Sequence, residues 1–123
     1  MTITRLAPRR PHRAPGTPRP AQSVANALTI DPGDPSTLEE WAARLHVSSK
    51  TLQRDFRREF GVPYSEGRNM LRLRAATVLL DSMSVTEVAA RVGYSSTSSF
   101  VPAYVRARGV TPGTVQRQHR DVA

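Results

Sequence analysis

The chain states one pattern twice. Between Leu38 and Val62, and again between Val85 and Val110, the same residue types recur in order: Ala42-Ala43-Arg44 as Ala89-Ala90-Arg91, Ser48-Ser49 as Ser95-Ser96, and Gly61-Val62 as Gly109-Val110. The first two matches stand 47 residues apart and the last stands 48 apart, so the second copy has gained one residue near its middle. Two copies of a short helical unit imply a tool with two working sites.

Each copy reads as two helices. Ser36 followed by Glu39 has the form of a capping box, and Leu38, Trp41, Ala42 and Leu45 then recur at helical spacing. Trp41 faces the core with Leu38 and Leu45. His46-Val47-Ser48 interrupts this helix, and Ser48 or Ser49 caps a second one whose apolar residues Leu52, Phe56 and Phe60 stand four apart until Gly61 stops it. In the second copy Ser84 and Glu87 form a capping box, Val85, Val88, Ala89 and Val92 run on to Gly93, and Ser95 or Ser96 opens the next helix. Phe100 and Tyr104 carry its inner face, Gly109 ends it, and Thr111-Pro112 starts a last short helix with proline at its first position.

Between the copies, from about Pro63 to Asp81, Met70, Leu71, Leu73, Ala75, Val78, Leu79 and Leu80 are spread around most of a helical circumference. Such a helix is expected to be buried on several sides and to act as a rod joining two modules. The resulting fold class is all-α: two helix-turn-helix subdomains joined by a long linker helix, with about seven helices and no strand. The first helix-turn-helix is expected at about 37–60, the linker helix at about 63–81 and the second helix-turn-helix at about 85–108, within a folded domain of residues 36–123.

Residues 1–35 differ in composition. They hold seven of the ten prolines and the arginines Arg5, Arg9, Arg10, Arg13 and Arg19. They are expected to form a disordered basic arm, with a weak helical candidate at 21–30 stopped by the turn sequence Asp31-Pro32-Gly33. Of the formal charge of +8, the arm supplies +3, from those five arginines against Asp31 and Asp34, and the rest of the chain +5. A folded part that is basic in its own right favours polyanions, nucleic acid before acidic membrane surfaces. Seventeen of the eighteen basic residues are Arg, which suits phosphate and guanine recognition, although codon bias in a GC-rich genome accounts for that ratio equally well.

The composition also narrows the function classes. With no Cys there is neither a disulfide framework nor a thiolate zinc site, and His12, His46 and His119 are scattered with no second ligand at a metal spacing. His12 and His119 read as solvated. The serine cluster Ser95, Ser96, Ser98 and Ser99 lacks a partner base and reads as a cap-rich helix start. No catalytic set, metal or cofactor is expected. No apolar run is long enough to span a bilayer and the N-terminus lacks the apolar stretch of a signal peptide, so a cytoplasmic protein without a membrane partner is expected.

Within each copy a small residue, Ala42 or Ala43 and then Ala89 or Ala90, lets two helix axes cross closely. The turn that follows needs a residue that tolerates positive φ, a role open freely to Gly93 and less freely to His46. This is helix-turn-helix geometry.

On these residues residues 36–118 resemble the DNA-binding domain of the AraC/XylS family of transcription regulators. The resemblance rests on Leu52-Gln53-Arg54-Asp55-Phe56-Arg57-Arg58-Glu59-Phe60-Gly61, on Arg72-Leu73 with Ala76 and Leu79-Leu80, and on Val85-Thr86-Glu87-Val88-Ala89. It continues through Val92-Gly93-Tyr94-Ser95-Ser96, Ser99-Phe100, Ala103-Tyr104 and Gly109-Val110-Thr111-Pro112. It implies one polypeptide, a monomer on double-stranded DNA, placing two recognition helices into successive major grooves near a promoter. It further implies activation of transcription, with RNA polymerase as a candidate second partner.

The expected contacts follow from side-chain chemistry. In the first recognition helix Lys50, Thr51, Gln53 and Arg54 face bases, with Gln53 and Arg54 the bidentate readers, while Ser48, Ser49, Arg57 and Arg58 meet phosphates. In the second, Thr97 and Ser98 offer single hydrogen bonds, Val101 a contact for a thymine methyl, and Ser95 and Ser96 hold phosphate. No Arg or Gln stands at the second set of reading positions, so sequence choice is expected to lie mainly in the first half.

Three departures from the family pattern stand out. Gly67 occupies a linker position where the family carries a large aromatic residue, which predicts lost core volume. Pro102 falls inside the second recognition helix, where it deletes a backbone bond and predicts a kink. Arg108 replaces the aromatic residue that Phe60 supplies in the first copy. Residues 1–35 are not expected to form the effector-binding domain that most of the family carries, so the chain is expected to be either a stand-alone regulator controlled by its own abundance or the terminal piece of a longer protein. A second reading is therefore a degenerate or fragmentary family member that binds nucleic acid or a partner protein non-specifically through its basic arm.

Overall fold

The computed structural model describes residues 18–122, and among these there are seven helices and no strand. They are α1 (Pro20–Ile30), α2 (Leu38–Arg44), α3 (Ser49–Phe60), α4 (Tyr64–Leu79), α5 (Val85–Arg91), α6 (Thr97–Arg108) and α7 (Pro112–Val122). The all-α architecture with two helix-turn-helix units, α2–α3 and α5–α6, on one linker helix α4 is the one expected.

Two cores form, one per unit, and α4 feeds both. Tyr64 at its start packs with Trp41, Ala42, Leu52 and Phe56, whereas Leu73 and Ala76 further along, with Leu80 at its end, pack with Val88, Val92, Phe100 and Tyr104. Each fully buried Leu, Val or Phe side chain contributes about 1.5–3 kcal/mol relative to leaving it in water. At 16 residues α4 is about 24 Å long. It is less enclosed than its composition suggests, because Met70 and Val78 are solvent-exposed.

The largest departure concerns residues 20–35, which were expected in the arm. The weak helical candidate is a full core helix: Ala21, Val24, Ala25 and Leu28, at positions i, i+3, i+4 and i+7, are buried against α3 and α4. Proline and arginine bias masked this short apolar stripe. Pro20 sits at the first turn, where its missing N–H costs nothing. The remainder of the expected arm, residues 1–17 with His12, lies outside the described residues.

Local signals elsewhere map closely onto the structure. The capping box at Ser84 and Glu87 forms as expected, but the first one belongs to Thr37 and Glu40, one residue later than Ser36 and Glu39. Ser36 is used differently: its hydroxyl donates to Asp34 and accepts from Arg44. Trp41 is buried as expected, its indole N–H donating to the Tyr64 hydroxyl at 2.9 Å. The expected void at Gly67 is absent, because the Phe56 ring fills the space beside it. α6 runs past Pro102 without interruption, with that proline exposed. His119 is not a solvated tail residue: α7 carries it to 3.6 Å from Asp81, while Gln116 Nε2 donates to the Met83 carbonyl and docks α7 on the end of the linker.

Candidate nucleic-acid interface

The two helix-turn-helix units are built by the same backbone device. After α2 the amide of Val47 bonds to the carbonyl of Ala42 and that of His46 to Ala43; after α5 the amide of Tyr94 bonds to Ala89 and that of Gly93 to Ala90. The pivot residues, His46 and Gly93, have φ of 59° and 96°, the left-handed region. Of the described non-glycine residues His46 alone does so. Ala42 and Ala89, the small residues at the crossings, are buried.

Both recognition helices begin with a serine cap. Ser48 accepts from the Thr51 amide and Ser96 from the Ser99 amide, each at the start of a 12-residue helix that ends on a left-handed glycine, Gly61 at φ 75° and Gly109 at φ 79°. Because the pivots are 47 residues apart and the caps 48 apart, the gained residue is Ser95, lodged in the second turn. Structurally, then, Ser96 rather than Ser95 answers Ser48. The second helix reads in the shifted register: Ser98 answers Lys50, Ser99 answers Thr51, Val101 answers Gln53, Pro102 answers Arg54 and Arg106 answers Arg58.

On α3 the structure brings the expected readers together. Lys50, Gln53, Arg54 and Arg57, spaced i, i+3, i+4 and i+7, form one exposed face opposite buried Leu52, Asp55 and Phe56. Among the described residues none of these four forms an ion pair, so the face keeps its positive charge for an external partner. Thr51 is exposed beside them, its hydroxyl accepting from Ser48, and Ser49 is half-buried. Arg58 is less free: its guanidinium lies 3.9 Å from Asp55.

Asp55 itself was not anticipated as an organising residue. Its carboxylate accepts from the Ala21 amide at 2.9 Å and stands 3.6 Å from Arg19, so it supplies the cap that α1 lacks locally and pins the start of α1 to the recognition helix. An acid placed among the apolar positions Leu52 and Phe56 of α3 was the sequence signal for it.

The α6 face is different in kind. Ser98 is exposed and Ser95 lies exposed in the turn, but Thr97 and Val101 are half-buried, Val101 against the second core. The Ser96 hydroxyl oxygen accepts from the Ser99 amide. Arg106, which sequence reasoning missed, is exposed in the last turn of α6 together with Arg108; the equal spacing of Gly61 and Gly109 from Arg58 and Arg106 was the available signal. Among the described residues no cluster of His, Asp or Glu suited to a metal forms, and no helix is long and apolar enough to cross a membrane.

Comparison with known proteins agrees with this construction. Residues 41–118 match the model of a helix-turn-helix domain family. The transcriptional regulator RipA of Corynebacterium glutamicum is 42% identical over 98 residues, covering 79% of this chain and 30% of that protein. The activator RclR of Escherichia coli is 34% identical over 103 residues, covering 82% of this chain and 36% of that protein. The chain thus spans about a third of the length of the curated relatives it matches. Among solved structures, the DNA-binding domain of the global transcriptional factor AdpA, in complex with a target DNA, superposes with a TM-score of 0.73 at 27% identity, covering 83% of this chain and 94% of that one. An AraC-type regulator from Chromobacterium violaceum superposes with a TM-score of 0.72 at 27% identity, covering 81% of this chain and 92% of that one. The chain is a DNA-binding regulator domain of AraC type, a member of the AraC family of transcription regulators.

Proposed function

We propose that this chain binds duplex DNA sequence-selectively as a monomer, laying α3 and α6 into successive major grooves, and that it acts in the cytoplasm to activate transcription through contact with RNA polymerase. The observation that carries the reading is the pairing of two equivalent turn-and-cap units with an unpaired Lys50, Gln53, Arg54 and Arg57 face on the first. Gln reads adenine and Arg reads guanine bidentately, so Gln53 and Arg54 set sequence choice. Lys50 and Thr51 supplement them, while Ser48, Ser49, Arg57 and Arg58 hold the backbone. On α6 Ser98 and Val101 touch bases, with Thr97 at the edge, and Ser95, Ser96 and the helix-start amides meet phosphate. The α6 half adds affinity more than selectivity.

That relatives are named as activators, RclR of Escherichia coli among them, supports the regulatory sense. A selection from a random duplex library at physiological salt tests the reading. A recovered motif with two boxes is expected; recovery of no motif, with uniform binding to all sequences, rejects it in favour of non-specific basic binding.

A further inference from the structure

The α1–α2 loop, which leads into the first helix-turn-helix unit, lies against the second unit, and one buried cation sits at that seam. Arg72, on the linker helix, is 7% exposed, and among the described residues no carboxylate lies within ion-pair distance of it. Its guanidinium is held instead by main-chain carbonyls of the α1–α2 loop and of the second unit's turn. Nε donates to Pro32 at 2.8 Å and Nη2 to Asp34 at 3.1 Å, both in the loop between α1 and α2, while Nη1 reaches the Gly93 carbonyl at 3.5 Å in the turn between α5 and α6. Burial, and after it the neighbouring Arg68, pull its pKa below the ordinary guanidinium value.

Two glycines make room for this arrangement. A Cβ on Gly93 would stand 2.7 Å from Arg72 Cζ, so the guanidinium packs on bare backbone. A Cβ on Gly33 would stand 2.6 Å from the Arg91 carbonyl oxygen and 3.3 Å from the Gly93 amide nitrogen, so the loop of the first unit lies flush on the turn of the second. A planar fork with several fixed donors can span three carbonyls; an ammonium on a flexible stem cannot hold them all in one geometry.

We infer that Arg72 is a positioning residue: it clasps the α1–α2 loop to the α5–α6 turn and thereby fixes the offset between the two recognition helices, setting the spacing of DNA half-sites the chain accepts. The inference rests on the two-groove reading proposed above. Burying an unpaired cation is costly, and removing one partner of such a network leaves the others unsatisfied. A linker helix alone joins two bodies at one place. The clasp adds a second junction away from the helix axis, which is what resists swivelling.

One base pair inserted between two boxes moves the second by about 3.4 Å and turns it by about 34°, since a turn of duplex holds about 10.5 base pairs. The test measures binding of the full chain to a selected two-box duplex, to the same duplex with one base pair inserted between the boxes, and to the first box alone. It compares the native protein with Arg72→Lys and with Gly33→Ala, whose added methyl pushes the seam apart without touching a charge. For the native protein the insertion should weaken binding at least about tenfold, the equivalent of one bidentate base contact. In both variants that penalty should fall to about threefold or less, with first-box binding and helical circular dichroism unchanged. If Arg72→Lys does not fold, Gly33→Ala decides alone. A penalty in the folded variants equal to that of the native protein overturns the role of Arg72. A native protein indifferent to the insertion overturns the two-groove reading itself, which is a separate result.

Discussion

The ring of Phe56 on the recognition helix α3 stands where a side chain at Gly67 of the linker helix would begin: a Cβ there would lie 2.2 Å from Phe56 Cε1 and 2.6 Å from Cζ. Gly67 is the contact point at which α3 and α4 close on each other, and Phe56, wholly buried between Phe60 and Tyr64, has nowhere to retreat.

Gly67 therefore resists enlargement. Although alanine is favoured over glycine in a helix by about 1 kcal/mol, Gly67→Ala should lower stability by about 1–3 kcal/mol through overpacking, and Gly67→Trp by more. Chemical denaturation of the single variants and of Gly67→Ala with Phe56→Leu measures this. The pair should be less destabilising than the sum of its parts, and strict additivity would separate the two residues.

Selectivity is expected to divide unequally between α3 and α6. Arg54→Ala should cost about 1–3 kcal/mol on the preferred site and relax selection at one or two base pairs, whereas Thr97→Ala should cost less and leave the preferred sequence unchanged. Arg106→Ala should weaken binding to all sequences alike and reduce the slope of log K against log salt by about 1. Competition binding with duplexes altered in one box at a time reads all three. Equal selectivity in the two halves would contradict the assignment.

α1 begins at Pro20, inside the stretch expected as an arm. Removing residues 1–17 takes away Arg5, Arg9, Arg10 and Arg13 and leaves every described helix in place. It should flatten the salt dependence and weaken binding without changing the preferred sequence. Removing residues 1–35 deletes Ala21, Val24 and Leu28 from the first core and should unfold that unit, which circular dichroism would show. Selectivity that disappears with residues 1–17 while helicity is kept would favour the non-specific reading.

Acid acts on the loop that Arg72 grips. The Asp34 carboxyl accepts first from the Ser36 hydroxyl and then from its amide, which holds its pKa below the ordinary carboxylate value. A depressed acid stabilises the fold above its unfolded pKa, about 3.9, and that stability is lost as pH falls through the folded value. Glu87, depressed by the Ser84 amide and hydroxyl, acts in the same direction. Unfolding midpoints followed by Trp41 fluorescence should drop below about pH 4, and Asp34→Asn should flatten that drop. An unchanged slope in the variant would rule Asp34 out as a source.

What was legible in the sequence is what depends on near neighbours. The caps at Ser48, Ser84 and Thr111, the left-handed positions at His46, Gly61, Gly93 and Gly109, and the apolar spacing of Leu52, Phe56, Phe100 and Tyr104 each follow from a few adjacent residues. The exposed face of α3 follows from the same periodicity. The rest depends on partners far along the chain. Arg72 is held by carbonyls 38 and 40 residues before it, and backbone acceptors leave no trace in residue type. The close approach of Gly67 to Phe56 was invisible for the same reason. Repeat register was ambiguous inside the run Ser95-Ser96, and only the cap bonds show which serine is the inserted one.

In the proposed complex one polypeptide engages two successive major grooves through α3 and α6. A hydroxyl-radical footprint of the full chain on its selected duplex, taken with a measurement of the stoichiometry of the complex, tests it most directly. Two protected patches are expected on one face of the duplex, centred about 34 Å apart, in a complex of one chain per site, with the α3 patch surviving Ser98→Ala and Val101→Ala. A single patch, uniform protection along the duplex, or two patches that require two chains would contradict it.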